Sequence, residues 1–219
     1  MSSPHSKSVP PRPAPRLYLV TPEIEDADAF APQLHAALAA ADVAAVLLRF
    51  AEAGESTLIK RAKALVQIVQ QKDAAAVVEG NAPPAALCGA DGAHLTGTGV
   101  FEEMVETLKP DRIAGAGGLV TRHDAMQAAE GGADYVLFGG ADENGERPDF
   151  ETVIERIGWW AEVFQIPCIG FAEQEDEIAP LCAAGADFVA LGDWIWSDAR
   201  GPAITVAAAS HLLATEPVG

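Results

Sequence analysis

Gly89-Ala90-Asp91-Gly92-Ala93-His94-Leu95 packs a glycine, a short polar turn and an apolar run into one segment. Its opening triplet recurs twice. Gly132-Ala133-Asp134 precedes Tyr135-Val136-Leu137-Phe138, and Gly185-Ala186-Asp187 precedes Phe188-Val189-Ala190-Leu191. Each copy follows a segment of helical pattern. Glycine adopts positive φ at no steric cost and therefore ends helices well. The triplet reads as a helix stop, then a tight turn into a buried strand. In a barrel of alternating strands and helices, such turns lie on the bottom face, where they serve stability and not catalysis.

The alternation extends along the chain. Apolar runs at 16–20, 44–49, 75–78, 92–95, 112–116, 135–138, 168–171 and 188–191 predict strands. Segments 30–41, 55–71, 84–88, 100–108, 122–130, 150–164, 178–184 and 202–214 predict helices. In the second of these, Leu58, Ile59, Ala62, Leu65, Val66 and Val69 follow the spacing of one helical face. The strands show little apolar–polar alternation, as expected for parallel strands covered on both sides. The pattern predicts a single (β/α)8 barrel of the TIM type over residues 16–219. An open doubly wound sheet is the alternative, and no G-x-G-x-x-G follows the first strand to support it.

The chain has 219 residues, enough for one core of ordinary size. Apolar residues make up 49% and charged residues 21%, within the range of folded domains. Fourteen Lys and Arg stand against 32 Asp and Glu, a formal net charge of −18. Such a field repels nucleic acid and anionic membranes, and neither is an expected partner. It also repels free phosphorylated substrates unless a local cationic pocket or a metal reverses the sign. Cys88, Cys168 and Cys182 show no metal-ligand spacing, which suggests reduced thiols in a cytoplasmic protein. Residues 1–15 are rich in Ser and Pro, lack an apolar run, and predict a flexible tail.

Several segments carry a family resemblance. They are Leu17-Tyr18-Leu19-Val20-Thr21, Leu48-Arg49, the Gly89 to Leu95 stretch, Gly132 to Gly139, Ile166-Pro167 and Ala184-Gly185-Ala186-Asp187. In order and spacing the chain resembles thiamine phosphate synthases and the related thiazole tautomerases. The resemblance implies a TIM barrel linked to thiamine biosynthesis. The reaction it implies displaces pyrophosphate from a pyrimidine pyrophosphate and joins the pyrimidine to a thiazole phosphate. Carboxylates would hold Mg2+, cationic side chains would grip the pyrophosphate, and glycine-rich loops would hold the second phosphate.

Position by position, those groups are mostly replaced. The family's Q-L-R-x-K reads Leu47-Leu48-Arg49-Phe50-Ala51, so only the Arg remains. Its N-D-R reads Glu79-Gly80-Asn81, and its G-Q-E-D reads Thr96-Gly97-Thr98-Gly99. Both Mg2+-binding Asp residues the resemblance implies are thereby glycines. G-x-S-x-H reads Gly115-Ala116-Gly117-Gly118-Leu119. Arg147 is the cation left in the loop after the sixth strand. The I-G-G phosphate loop ends on Glu173, and the Ser after the eighth strand is Asp193. The tautomerases' His falls at Gly140.

The resulting pocket residues are Arg49, Glu79, Asn81, His94, Gly117, Arg147, Glu173 and Asp193, with no confident catalytic residue and no protein metal site. Arg49 reads as an anion ligand or as a structural ion pair, with Glu79 as its charge partner. His94 reads as a hydrogen-bonded packing residue more readily than as an acid–base group. Gly115 to Gly118 reads as a permissive turn or a phosphate cradle. Trp159 and Trp160 read as packing residues. Trp194 and Trp196 read as a cover for the mouth or a surface for homo-oligomers. The expectation is a thiamine phosphate synthase-like barrel without transferase activity that binds a small molecule or regulates. The alternatives are an active synthase with substitute residues, for which Mg2+ would be required, and other chemistry on the same barrel.

Overall fold

The computed structural model describes residues 13–80 and 85–214. Most of the predicted tail (residues 1–12) and the pocket residue Asn81 lie outside the described residues. Eight parallel strands close into a barrel in sequence order. They are β1 (Arg16–Ile24), β2 (Val43–Phe50), β3 (Ala75–Glu79), β4 (Gly92–Thr96), β5 (Ile113–Gly117), β6 (Tyr135–Phe138), β7 (Cys168–Ala172) and β8 (Phe188–Leu191). The helices are α1 (Ala27–Ala40), α2 (Glu55–Gln70), α3 (Ala85–Cys88), α4 (Thr98–Leu108), α5 (Arg122–Glu130), α6 (Phe150–Val163), α7 (Ile178–Ala184), α8 (Trp194–Ser197) and α9 (Pro202–Ala214). Three features depart from the sequence pattern, the first being that β1 runs on to Ile24, four residues past 20. Helix α1 starts three residues earlier than 30, because Asp26 accepts the Asp28 and Ala29 amides as its N-cap. The short α8 after β8 is additional. None of these helices is long and apolar enough to cross a membrane.

Alternate residues along each strand face opposite sides. One set, including Leu19, Leu48, Val78, Leu95 and Val189, packs outward with helix residues such as Leu65, Phe101, Ile157 and Trp160. The other set fills the barrel itself: Tyr18 and Val20, Ala45 and Leu47, Val77, Tyr135 and Leu137, Ile169, and Ala190. Strand β5 contributes glycine at the two positions where it faces these rings. A Cβ at Gly115 would strike the Tyr135 ring, and one at Gly117 would strike the imidazole of His94.

The repeated triplet does more than turn the chain. Gly89, Gly132 and Gly185 have φ of 78°, 99° and 98°, as a helix stop requires. The aspartate two residues on then ties the coming strand to the previous one. Asp91 Oδ2 accepts the Ala76 amide at 2.7 Å, and its own amide donates to the Ala76 carbonyl at 2.8 Å. Asp134 does the same with Ala114 (2.8 and 2.8 Å), and Asp187 with Cys168 (2.9 and 3.0 Å). The triplets therefore close the bottoms of the β3–β4, β5–β6 and β7–β8 seams.

Removing a carboxylate here leaves a half-buried amide without its acceptor, which costs roughly 1–3 kcal/mol. Asp187→Ala should lower stability by that order in urea unfolding. Asp187→Asn keeps an acceptor oxygen and should recover most of the loss. Equal losses in the two variants would show that the bond to Cys168 is not what the aspartate supplies.

Candidate functional site

The C-terminal strand ends surround a mouth cavity of about 700 Å3. Arg49 rises from the end of β2. Its amide donates to Thr21 Oγ1 at 2.9 Å, inside an irregularity of β1 between Val20 and Glu23. That irregularity brings Glu23 opposite Arg49. The guanidinium then has three carboxylates around it: Asp193 at 3.5 Å, Glu79 at 3.6 Å and Glu23 at 3.8 Å. Arg49 and Glu79 thus meet, as neighbouring strand ends allow, but the pair is part of a larger group. Burial pushes the Glu79 carboxyl above the usual carboxylate range, while Arg49 pulls it down and Glu23 pushes it up again.

Arg147 is held differently. Its Nε donates to the Gly139 carbonyl at 2.7 Å and Nη2 to the Phe171 carbonyl at 2.9 Å. The same group pairs with Glu173 and Glu177, both at 2.9 Å. The buried Glu177 carboxylate also accepts the Glu173 amide at 2.8 Å. The amide in the expected phosphate loop is therefore already occupied by a carboxylate of the same chain. Glu177 carries no sequence signal beyond its place in the acidic run Glu175-Asp176-Glu177.

His94 stands on the cavity floor, 5% exposed. Its Nδ1 is 3.0 Å from the Tyr135 hydroxyl, which is 2.9 Å from the Tyr18 hydroxyl. Burial lowers the His94 pKa from 6.5 to about 4, so the ring is neutral near pH 7. Both tyrosines are raised above their ordinary range, mainly by burial. Tyr18 and Tyr135 are absent from the sequence-based pocket set. The alternating glycines of β5 are the signal that could have found them, since they mark where large inward side chains need room.

The Gly115 to Gly118 stretch divides between strand and mouth. Gly115 and Gly117 lie within β5, and α5 begins only after its cap at Thr121. Gly117 seats His94, whereas Gly118, at φ 64°, reaches the mouth. The 140–147 loop folds over the mouth from the other side. Asp142 Oδ1 accepts the amides of Asn144 and Glu146, and the Glu143 carboxylate lies directly against Gly97. Trp194 lines the mouth and donates to the Ala172 carbonyl. Trp196 instead bonds the Val20 carbonyl and packs on Phe30, while Trp160 is fully buried.

Residues 17–195 match the family model described as thiamine monophosphate synthase. The chain belongs to the thiamine monophosphate synthase family. It is 38% identical over 200 residues to the thiamine-phosphate synthase of Rhodospirillum centenum, covering 88% of this chain and 94% of the relative. With the thiamine-phosphate synthase of Hyphomonas neptunium it shares 35% over 218 residues, 92% and 95% of the two chains. The solved thiamine phosphate pyrophosphorylase from Pyrococcus furiosus superimposes with a TM-score of 0.75 at 20% identity, covering 91% and 95%.

For this family member the residues at hand do not fit the Mg2+ that the family implies. Its two aspartate positions are Gly80 and Gly99. The mouth carboxylates Glu79 and Asp193 face Arg49, and Glu173 faces Arg147. No group of three or more His, Cys, Asp or Glu among the described residues could hold a metal ion.

Because Arg49 keeps two partners, Glu79→Ala should change stability by less than about 1 kcal/mol. The combined variant Glu23→Gln, Glu79→Gln, Asp193→Asn should instead gain pyrophosphate affinity by about tenfold or more in calorimetry. An unchanged affinity would show that Arg49 is not what the carboxylates neutralise. Unfolded His94 takes up a proton below about pH 6.5, whereas the folded ring does so only near 4. Within that window the unfolded state binds more protons, so stability falls as the pH is lowered. The full contribution is on the order of 3 kcal/mol, from the shift of 6.5 to about 4. Unfolding free energies between pH 6.5 and 5 should slope more steeply for the native chain than for His94→Gln.

Proposed function

We propose that this family member binds a small molecule in its mouth and does not transfer a pyrimidine from pyrophosphate. One observation carries the reading. Glu79, Asp142, Glu143, Glu173 and Asp193 line the mouth with Arg49, and Arg147 pairs with Glu173 from beside it, so among the described residues carboxylates outnumber guanidinium groups there. A pyrophosphate entering this cavity would meet like charge in place of Mg2+ and basic residues. At a separation of ~6 Å each unit-charge repulsion is worth ~0.7 kcal/mol in water and ~3 kcal/mol at a protein surface. Several such terms act together, and the two arginines that would offset them, Arg49 and Arg147, are already paired with carboxylates. The cavity itself is within the range that encloses a small organic ligand.

The names of the relatives at 33–38% identity favour a second reading, an active thiamine-phosphate synthase with substitute groups. The purified full chain, given the pyrimidine pyrophosphate, the thiazole phosphate and Mg2+, separates the two. We expect no thiamine phosphate above the uncatalysed background. Turnover within about tenfold of a family enzyme that has both aspartates, a barrier difference of about 1.4 kcal/mol, would establish the second reading.

A further inference from the structure

The hydrogen-bonded chain from Tyr18 through Tyr135 to His94 has no part in that reading so far, and its protons can be counted. Each tyrosine hydroxyl has one proton to donate, and a neutral imidazole has one donor and one acceptor nitrogen. Tyr135 is the hydrogen-bond partner of the Tyr18 hydroxyl among the described residues. If Tyr18 donates to Tyr135, Tyr135 donates to His94 Nδ1, and the ring proton sits on Nε2. The opposite direction ends with the Tyr18 proton lacking an acceptor among apolar neighbours such as Ala45, Val77 and Ile169. The first direction leaves only the Nε2 proton open, on the side that lines the cavity, whereas the opposite direction leaves both the Tyr18 proton and the Nε2 lone pair unanswered, so network logic assigns the Nε2–H tautomer.

Nε2 itself has no hydrogen-bond partner among the described residues, yet it is not sealed off from the cavity. Gly117 leaves that side of the ring clear, since a Cβ there would run into Nε2 and Cε1. A buried side chain thus presents an unanswered donor to the floor of a large cavity. Above it the walls are apolar, with Val20, Leu47, Leu137 and Phe171, and the rim is acidic.

We propose that His94 Nε2–H is a ligand-binding donor, and that the site takes an uncharged or cationic organic molecule with a hydrogen-bond acceptor at its buried end. An acceptor is needed because the nitrogen carries the proton. A neutral or positive ligand is needed because a carboxylate or phosphate would lie beneath five carboxylates. The inference rests on the acidic mouth described above, and not on the absence of transferase activity.

The test uses the full chain with 15N-labelled histidine. Long-range 1H–15N spectra read the tautomer directly, and the His94 signals should show protonated Nε2 and bare Nδ1. Tyr135→Phe removes only the hydroxyl, so the tautomer preference should weaken in that variant. Three probes share one ring and a carbonyl acceptor but differ in charge: 1-methylnicotinamide (cation), nicotinamide (neutral) and nicotinate (anion). The first two should shift the His94 signals saturably, with nicotinate weaker by about tenfold or more. A protonated Nδ1, a nicotinate affinity equal to or above the others, or no saturable shift with any probe would overturn the proposal. Thiamine phosphate formation in the enzymatic assay would overturn the loss of transfer and leave these outcomes standing. A preference for nicotinate would overturn the ligand class even in an inactive protein.

Discussion

Asp91, Asp134 and Asp187 each answer both the amide and the carbonyl of a residue at the start of the preceding strand, the first or second in it. A parallel barrel has no hairpins to hold its register, so each seam must be fixed by groups at its ends. Three of the eight seams are fixed here by one device, always on the even-numbered strand. The remaining even strand uses another: Asp42, just before β2, pairs with the Arg16 guanidinium at the start of β1 at 3.0 Å. With the lower rim set in this way, the heights at which Arg49, Glu79, His94 and Asp193 emerge above it are set as well.

The barrel interior then divides by size. Large side chains enter from β1, β4, β6 and β7, while β5 offers glycine at the positions that face Tyr135 and His94. This asymmetry lets Tyr135 lie against β5 and stack on His94, with ring centres 5.8 Å apart. Gly115 and Gly117 are thus packing partners of the aromatic cluster. The same glycines leave the floor donor open to the mouth, so a requirement of packing and a feature of the site share one cause.

The fold was legible because the features that encode it are local. Apolar runs, helix stops at the three glycines and the spacing of α2 each speak for their own neighbourhood. The site was legible only where topology alone brings residues together, as with Arg49 and Glu79 on adjacent strands. Glu23 reaches Arg49 through an irregularity in β1 that the sequence Thr21-Pro22 does not announce. Glu177 comes from the turn before α7 and takes the amide at Glu173, a contact set by tertiary packing. A glycine within a strand looks the same in sequence as a glycine in a loop, so the place of Gly115 and Gly117 inside β5 is hard to read locally. Their alternation was the better guide, since period two belongs to a strand.

The two missing metal aspartates are not equivalent vacancies. At Gly99 a side chain would find nothing within 4 Å. At Gly80 a Cβ would come within 2.9 Å of Leu95 Cδ2 and 3.2 Å of the His94 carbonyl. The amide of Gly80 donates to that same carbonyl at 2.8 Å, so the backbone there is drawn in against β4. An aspartate at position 99 is a surface addition, whereas one at 80 requires Leu95, a core residue, to give way. Even with both in place, Glu79 and Asp193 would still surround Arg49. On the reading proposed above, restoring pyrophosphate chemistry would take changes at the rim, at the β3–β4 packing and around Arg49 together, which couples the acidic mouth to the way this barrel packs.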